Sequence, residues 1–109
     1  MKLCVKDRIV LAGILPQHED FLTLQIVRKL QEALSFSEEE TKALNLVNDG
    51  QQVKWEATAD PMKDVEIGIK AADLIVASLK KLDEKKELTA DTFGLYETFV
   101  QKGLKVYNG

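Results

Sequence analysis

"DPMKDVEIGIKAADLIVASLKKLD", residues 60–83, is the longest periodic stretch of the chain and decides its fold class. Val65, Ile69, Ala72, Val76 and Leu79 recur at spacings of four, three, four and three, the repeat of one helical face. Gly68, Ala72, Ile75, Leu79 and Leu82 form a second, overlapping stripe. Together the two are wider than a two-helix seam needs, which predicts the central helix of a bundle. Pro61 suits the first helical turn, with Asp60 as the cap before it. Gly68 and Ala72 are small residues on one face, where another backbone can approach closely. A glycine inside a helix costs about 1 kcal/mol relative to alanine, so Gly68 there implies a packing reason.

Shorter elements surround this helix. "LCVKDRIVLAGIL", residues 3–15, puts Val5, Ile9 and Ala12 on one face and ends near Gly13, because Pro16 steers Leu15 out of the helical region. "DFLTLQIVRKLQEAL", residues 20–34, is a second helix starting at Asp20 or Thr23, with Leu24, Val27, Leu30 and Leu34 as its apolar stripe. Ser37 and Glu40 have the spacing of a reciprocal capping box and open a third helix that ends near Asn45. Glu38, Glu39 and Glu40 then lie at the positive end of the helix dipole.

The pattern changes at "LNLVNDGQQVKWEA", residues 44–57. Asn48-Asp49-Gly50 carries the residue pair favoured in tight hairpins, and Val53 and Trp55 alternate with Lys54 and Glu56. A lone two-stranded ribbon is marginal in water. It must pack on a helix, pair with another chain, or gain a strand, for which the C-terminal "LKVYN" is the candidate. The last helix begins at Thr89, with Leu88 and Phe93 placed as a hydrophobic staple, and stops at Gly103. The chain therefore reads as α+β and mainly α-helical: four or five helices in a small bundle with one short β-hairpin. A length of 109 residues makes residues 1–109 a single domain.

Composition excludes several classes of function. The net charge of −3 is spread evenly and no basic block stands out, so binding to a nucleic-acid backbone is not expected. The longest apolar run, residues 9–15, is about a third of a membrane span. Asp7 interrupts the basic residues before that run, and no small-residue cleavage site follows it. The expected location is the cytoplasm, with no membrane partner. The single cysteine, Cys4, allows neither an internal disulfide nor a multi-thiolate metal site, and reads as a core residue on a helical face.

Residue types that carry chemistry are sparse. His18 is the only histidine, and Glu19 and Asp20 follow it directly, so the three side chains diverge. A metal needs about three ligands in fixed geometry; "GILPQHED", residues 13–20, is instead a turn whose Asp20 caps the next helix. No phosphate loop, nucleophile elbow or helical zinc motif occurs. No cofactor and no metal are expected. Arg8 and Arg28 are the only arginines, against 13 lysines, and the arginine fork suits carboxylate or phosphate contacts. Arg8, Arg28 and Lys29 are thus the candidate ligand-binding residues, the alternative being surface pairing of Arg8 with Asp7 or Glu19 and of Arg28 with Glu32. Trp55, Gly68, Ala72 and Ile75 are the candidate interface residues.

"LTLQIVRKLQEALSFSEEE", the Asp-Gly turn before "QVKW", and "EIGIKAADLIVASLKKLDEKKELT", taken in that order, resemble small proteins of tailed phages and prophages to which no activity is attached. The resemblance carries over no functional residue. It implies a setting, the cytoplasm of an infected bacterium, where small phage proteins often act by binding, some of them on components of host immunity. The leading expectation is a non-enzymatic, self-associating binding protein that acts on a host component. One alternative is an oligomeric sponge for an anionic, nucleotide-like signalling molecule. A second is a small enzyme using carboxylates such as Asp60, Asp64 and Glu66.

Overall fold

In the computed structural model, which describes residues 1–48, 50, 52–56 and 62–101, a short strand β1 (Lys2–Leu3) leads into helix α1 (Val5–Ile14). Helices α2 (Phe21–Leu34) and α3 (Glu38–Leu44) follow, then the ribbon strands β2 (Val47–Asn48) and β3 (Val53–Lys54). Strand β4 (Lys63–Asp64), helix α4 (Ile69–Glu84) and helix α5 (Ala90–Tyr96) come next, and a π-helical turn covers Glu97–Gln101. The architecture is α+β and mainly helical, five helices with small antiparallel ribbons.

Capping chemistry fixes the helix starts. The Asp20 carboxylate accepts from the Thr23 N–H at 2.7 Å and begins α2, so the turn around His18 ends as the sequence predicts. Ser37 and Glu40 form the expected reciprocal box at α3, with Glu40 N–H to Ser37 Oγ at 3.1 Å and Ser37 N–H to Glu40 Oε1 at 3.0 Å. Asn45 closes α3 in the left-handed region at φ 51°, a conformation its short polar side chain tolerates. Cys4 differs from expectation. It is the N-cap of α1, its Sγ accepting from the Asp7 N–H at 3.4 Å, rather than part of a helical face.

The stretch at 60–83 divides in two. Residues 57–61 lie outside the described residues, and with them the expected Asp60 cap and Pro61. Beyond them the chain is extended: β4 pairs antiparallel with β1, Lys2 facing Asp64 and Leu3 facing Lys63, and Val65 N–H donates to Met1 O at 2.7 Å. Val65 and Ile67 are buried while Asp64, Glu66 and Gly68 are exposed, the alternation of a strand with one face in the core. Helix α4 begins at Ile69, and Gly68 is its N-cap, so the expected interior glycine and its close backbone approach are corrected. A Cβ at Gly68 would meet nothing within 4 Å. Of the two predicted stripes, the second holds from Ala72 onward: Ala72, Ile75 and Leu79 are buried and Leu82 half-buried, whereas Gly68 is exposed and Ile69 of the first stripe is 59% exposed.

The core lies where α1, α2 and α4 meet, closed by α5 and the π-helical turn. Leu3, Leu11, Val27, Leu30, Ile75 and Leu79 belong to one buried cluster with Val65, Ile67, Leu95 and Phe99. Residues Ala71, Leu74 and Val76 of α4 pack half-buried against it, which accounts for the extra apolar width within this one chain. The ribbon β2–β3 is antiparallel, as a hairpin requires, with Val47 facing Lys54 and Asn48 facing Val53. Asp49 of its turn and the proposed strand "LKVYN" lie outside the described residues, as does Gly103. Phe93 is 61% exposed, so the anticipated staple with Leu88 does not shield it.

Candidate functional site

Arg8, the first of the candidate ligand-binding residues, is 1% exposed and wholly engaged by the chain itself. Its position on α1 faces the corner between α2 and α3. Nε donates to Leu34 O at 3.2 Å, Nη2 donates to Ser35 O, and Nη1 donates to Glu40 Oε2 at 2.6 Å. A longer contact of 3.4 Å joins Nη2 to Glu40 Oε1. The guanidinium carbon also lies 3.8 Å from the centre of the Phe36 ring, a stacked cation–π contact. Leu34 O and Ser35 O are carbonyls left over at the end of α2, which need a donor from outside the helix. Arginine's planar fork serves two of them and a carboxylate at once; lysine could not.

This arrangement sets the electrostatics of the corner. The hydrogen bond from Arg8 holds the Glu40 carboxyl well below its ordinary 4.5, at about 2, against the opposing effect of burial, with the Ser37 N–H adding to the shift. Lys63 approaches the same carboxylate at 3.8 Å. Neither Asp7 nor Glu19, the sequence-level partners for Arg8, forms this pair. The true partner is 32 residues away.

Arg28 and Lys29 are exposed on α2 and do not join Arg8. Arg28 borders a shallow groove with Pro16, Gln17 and Gln31, and makes no ion pair among the described residues, with Glu32 or any other. Lys29 lines a separate groove of about 500 Å³ with Ile26, Ile69 and Lys70. The three basic residues therefore do not form one anion site. Of the carboxylates weighed for catalysis, Asp64 is paired with the Met1 ammonium at 2.9 Å, Glu66 is exposed, and Asp60 lies outside the described residues. His18 is exposed, and among the described residues no three His, Cys, Asp or Glu side chains gather to hold a metal ion.

The candidate interface residues also separate. Ala72 and Ile75 are core, at 4% and 0% exposure, and face other parts of the same chain. Gly68 is exposed at the start of α4. Trp55 is half-buried beside Lys6, Ile9, Val53 and Asp91, where Lys6 and Asp91 form an ion pair at 2.7 Å that raises the Lys6 pKa. Trp55 Nε1 is buried with no hydrogen-bond partner among the described residues. Since solvent cannot reach that atom, neither can a ligand unless the ribbon moves.

One surface was missed by periodicity alone. Phe21 and Leu22 at the start of α2 are 73% and 70% exposed, and Ile69 at the start of α4 is 59% exposed. Leu22, Ile26 and Lys29 share one face of α2, at i, i+4 and i+7. Ile26 and Lys29 border the groove that Ile69 and Lys70 line from α4. The result is an apolar face along α2 and the first turn of α4, edged by Lys29, Glu66 and Lys70. Among the described residues, no helix is long and apolar enough to cross a membrane. Comparison of the chain with protein-family models, curated proteins and solved structures finds no match.

Proposed function

We propose that this protein is a non-enzymatic binding module that self-associates through the α2–α4 face and acts on a component of the host cell. One observation carries the reading: Leu22 and Ile69 are large apolar side chains left mostly in water, Leu22 on the α2 face whose Ile26 borders the groove that Ile69 lines from α4. Leaving such groups exposed forgoes about 1.5–3 kcal/mol for each that a partner could cover, and contiguous apolar patches of this kind mark interaction sites. A two-fold contact would place the same patch on both copies. The setting implied by the resemblance to phage proteins makes a host component the further target.

Sedimentation at tens of micromolar tests the self-association. The wild-type chain is expected to run above its single-chain mass, and Leu22→Glu combined with Ile69→Glu to run as a monomer with unchanged helical circular dichroism. Both residues are exposed, so the substitutions leave the core intact. A wild-type chain that sediments only at the single-chain mass would remove the proposal that it self-associates.

A further inference from the structure

The corner organised by Arg8 borders a slot that the α2–α4 face does not include. It lies between α1 and the end of α2 on one side and the β2–β3 ribbon on the other, with a volume of about 380 Å³. Small-molecule sites typically measure about 300–1,000 Å³ and are mostly apolar with a few placed polar groups. Here Ile9, Ala12, Leu34, Phe36, Leu46 and Val53 supply the apolar walls. We infer that this slot is a second binding site, one that takes an uncharged, flat, ring-bearing small molecule with a hydrogen-bonding edge.

Charge decides the first part of that description. Among the described residues, Arg8 is the only charged side chain on the wall, and its side chain is fully buried, paired with Glu40 and bonded to two carbonyls. Its fork has no exposed surface to offer. A phosphate or carboxylate entering the slot would lose water and gain no cation, which is costly. Arg8 serves the slot from behind, by holding the Phe36 ring 3.8 Å from its guanidinium and so fixing a flat aromatic wall in advance.

The polar groups decide the second part. Gln31 and Asn48 both line the slot, one from α2 and one from β2. Asn48 Oδ1 already accepts from the Gly50 N–H at 3.0 Å, which leaves its amide N–H groups to donate. Gln31 makes no hydrogen bond among the described residues and offers both a donor and an acceptor. The Phe36 ring on the wall favours a flat occupant that can stack beside it, and two carboxamides in the lining suit the edge of a heterocycle.

Amide-resolved NMR titration of the full chain with indole, adenine and adenosine tests the inference, with adenosine 5′-monophosphate as the charged counterpart of adenosine. At least one uncharged probe is expected to give saturable shifts centred on Ala12, Gln31, Phe36 and Val53, with Kd below about 1 mM. The phosphate should add no affinity. Gln31→Ala, an exposed position whose change spares the fold, should weaken binding about two- to tenfold. Val53→Trp should fill the slot and abolish the shifts. No saturable shift from any uncharged probe, binding about tenfold tighter for the monophosphate, or unchanged affinity in Gln31→Ala would each overturn the assignment. Shifts centred on Leu22 and Ile69 would do the same, by moving the binding to the other face.

Discussion

Removing the Arg8 fork should cost this protein a large part of its stability, and the size of the loss follows from what the fork touches. Arg8→Met leaves Leu34 O, Ser35 O and the Glu40 carboxylate without their donor. Breaking a buried pair from one side typically costs about 3–5 kcal/mol, and that is the expected loss here. Arg8→Lys keeps the charge, but one ammonium cannot span two carbonyls and a carboxylate, so about 2–3 kcal/mol should be lost. Glu40→Gln keeps the capping box, since glutamine serves at that position, and isolates the ionic part. A carboxyl held from 4.5 down to about 2 corresponds to about 3 kcal/mol at neutral pH. Glu40 is 28% exposed, and solvent screening reduces this to about 1–2 kcal/mol. Because the folded-state pKa is depressed, this stabilisation is complete above about pH 4.5 and disappears as pH falls through about 2. Urea unfolding followed by Trp55 fluorescence measures both effects. The gap between wild type and Glu40→Gln should be constant from neutral pH to about 5 and close towards pH 2. An Arg8→Met variant within about 1 kcal/mol of wild type, or a gap indifferent to pH, would refute the reasoning.

Substitutions at three positions test the placement of α4. Ala72→Trp should lose about 1–3 kcal/mol or more by overpacking a residue that is 4% exposed, whereas exposed Lys81→Trp should stay within about 0.5 kcal/mol; equal melting temperatures would mean the buried face is elsewhere. Gly68→Ala should destabilise slightly and Gly68→Ser stabilise by a few tenths of a kcal/mol, because at an N-cap the ranking is serine above glycine above alanine. A helix running through residue 68 gives the opposite sign for Gly68→Ala, a gain of about 1 kcal/mol, so thermal unfolding of that variant separates the two placements.

The fold was legible wherever local chemistry decides it. Asp20, the Ser37–Glu40 box and the left-handed Asn45 act within four residues, and each ends or begins a helix where its spacing indicates. The start of α4 differs from the periodic reading because Val65 and Ile69 fit a helical stripe, whereas Ile67 between them fits neither stripe. Val65 and Ile67 are two apart, which on a helix points them to nearly opposite sides but on a strand points both to one face. Ile67 belonged to neither stripe, and that was the signal for β4. The partner strand was not legible, since Lys2–Leu3 is too short to show a period and pairs with residues about sixty positions away.

The site was legible in residue type and not in role. Two arginines among many lysines mark places where a point charge does not suffice, and at Arg8 that inference about the fork stands. What the sequence could not provide was the recipient. Leu34 O and Ser35 O become orphan carbonyls only because α2 stops and α3 starts after three intervening residues, with Ser35 turning the chain through its own bond to Glu32 O at 2.6 Å. Glu40 is committed to the α3 cap and reaches Arg8 with the same carboxylate. One side chain from α1 thereby ties the end of α2 to the start of α3 and fixes Phe36 between them. The corner is held by a charge that is spent inside the protein, so it can be rigid without being an anion site. In the binding proposed for the slot, Arg8 therefore acts as a positioning residue, and recognition falls to the neutral groups that line the wall in front of it.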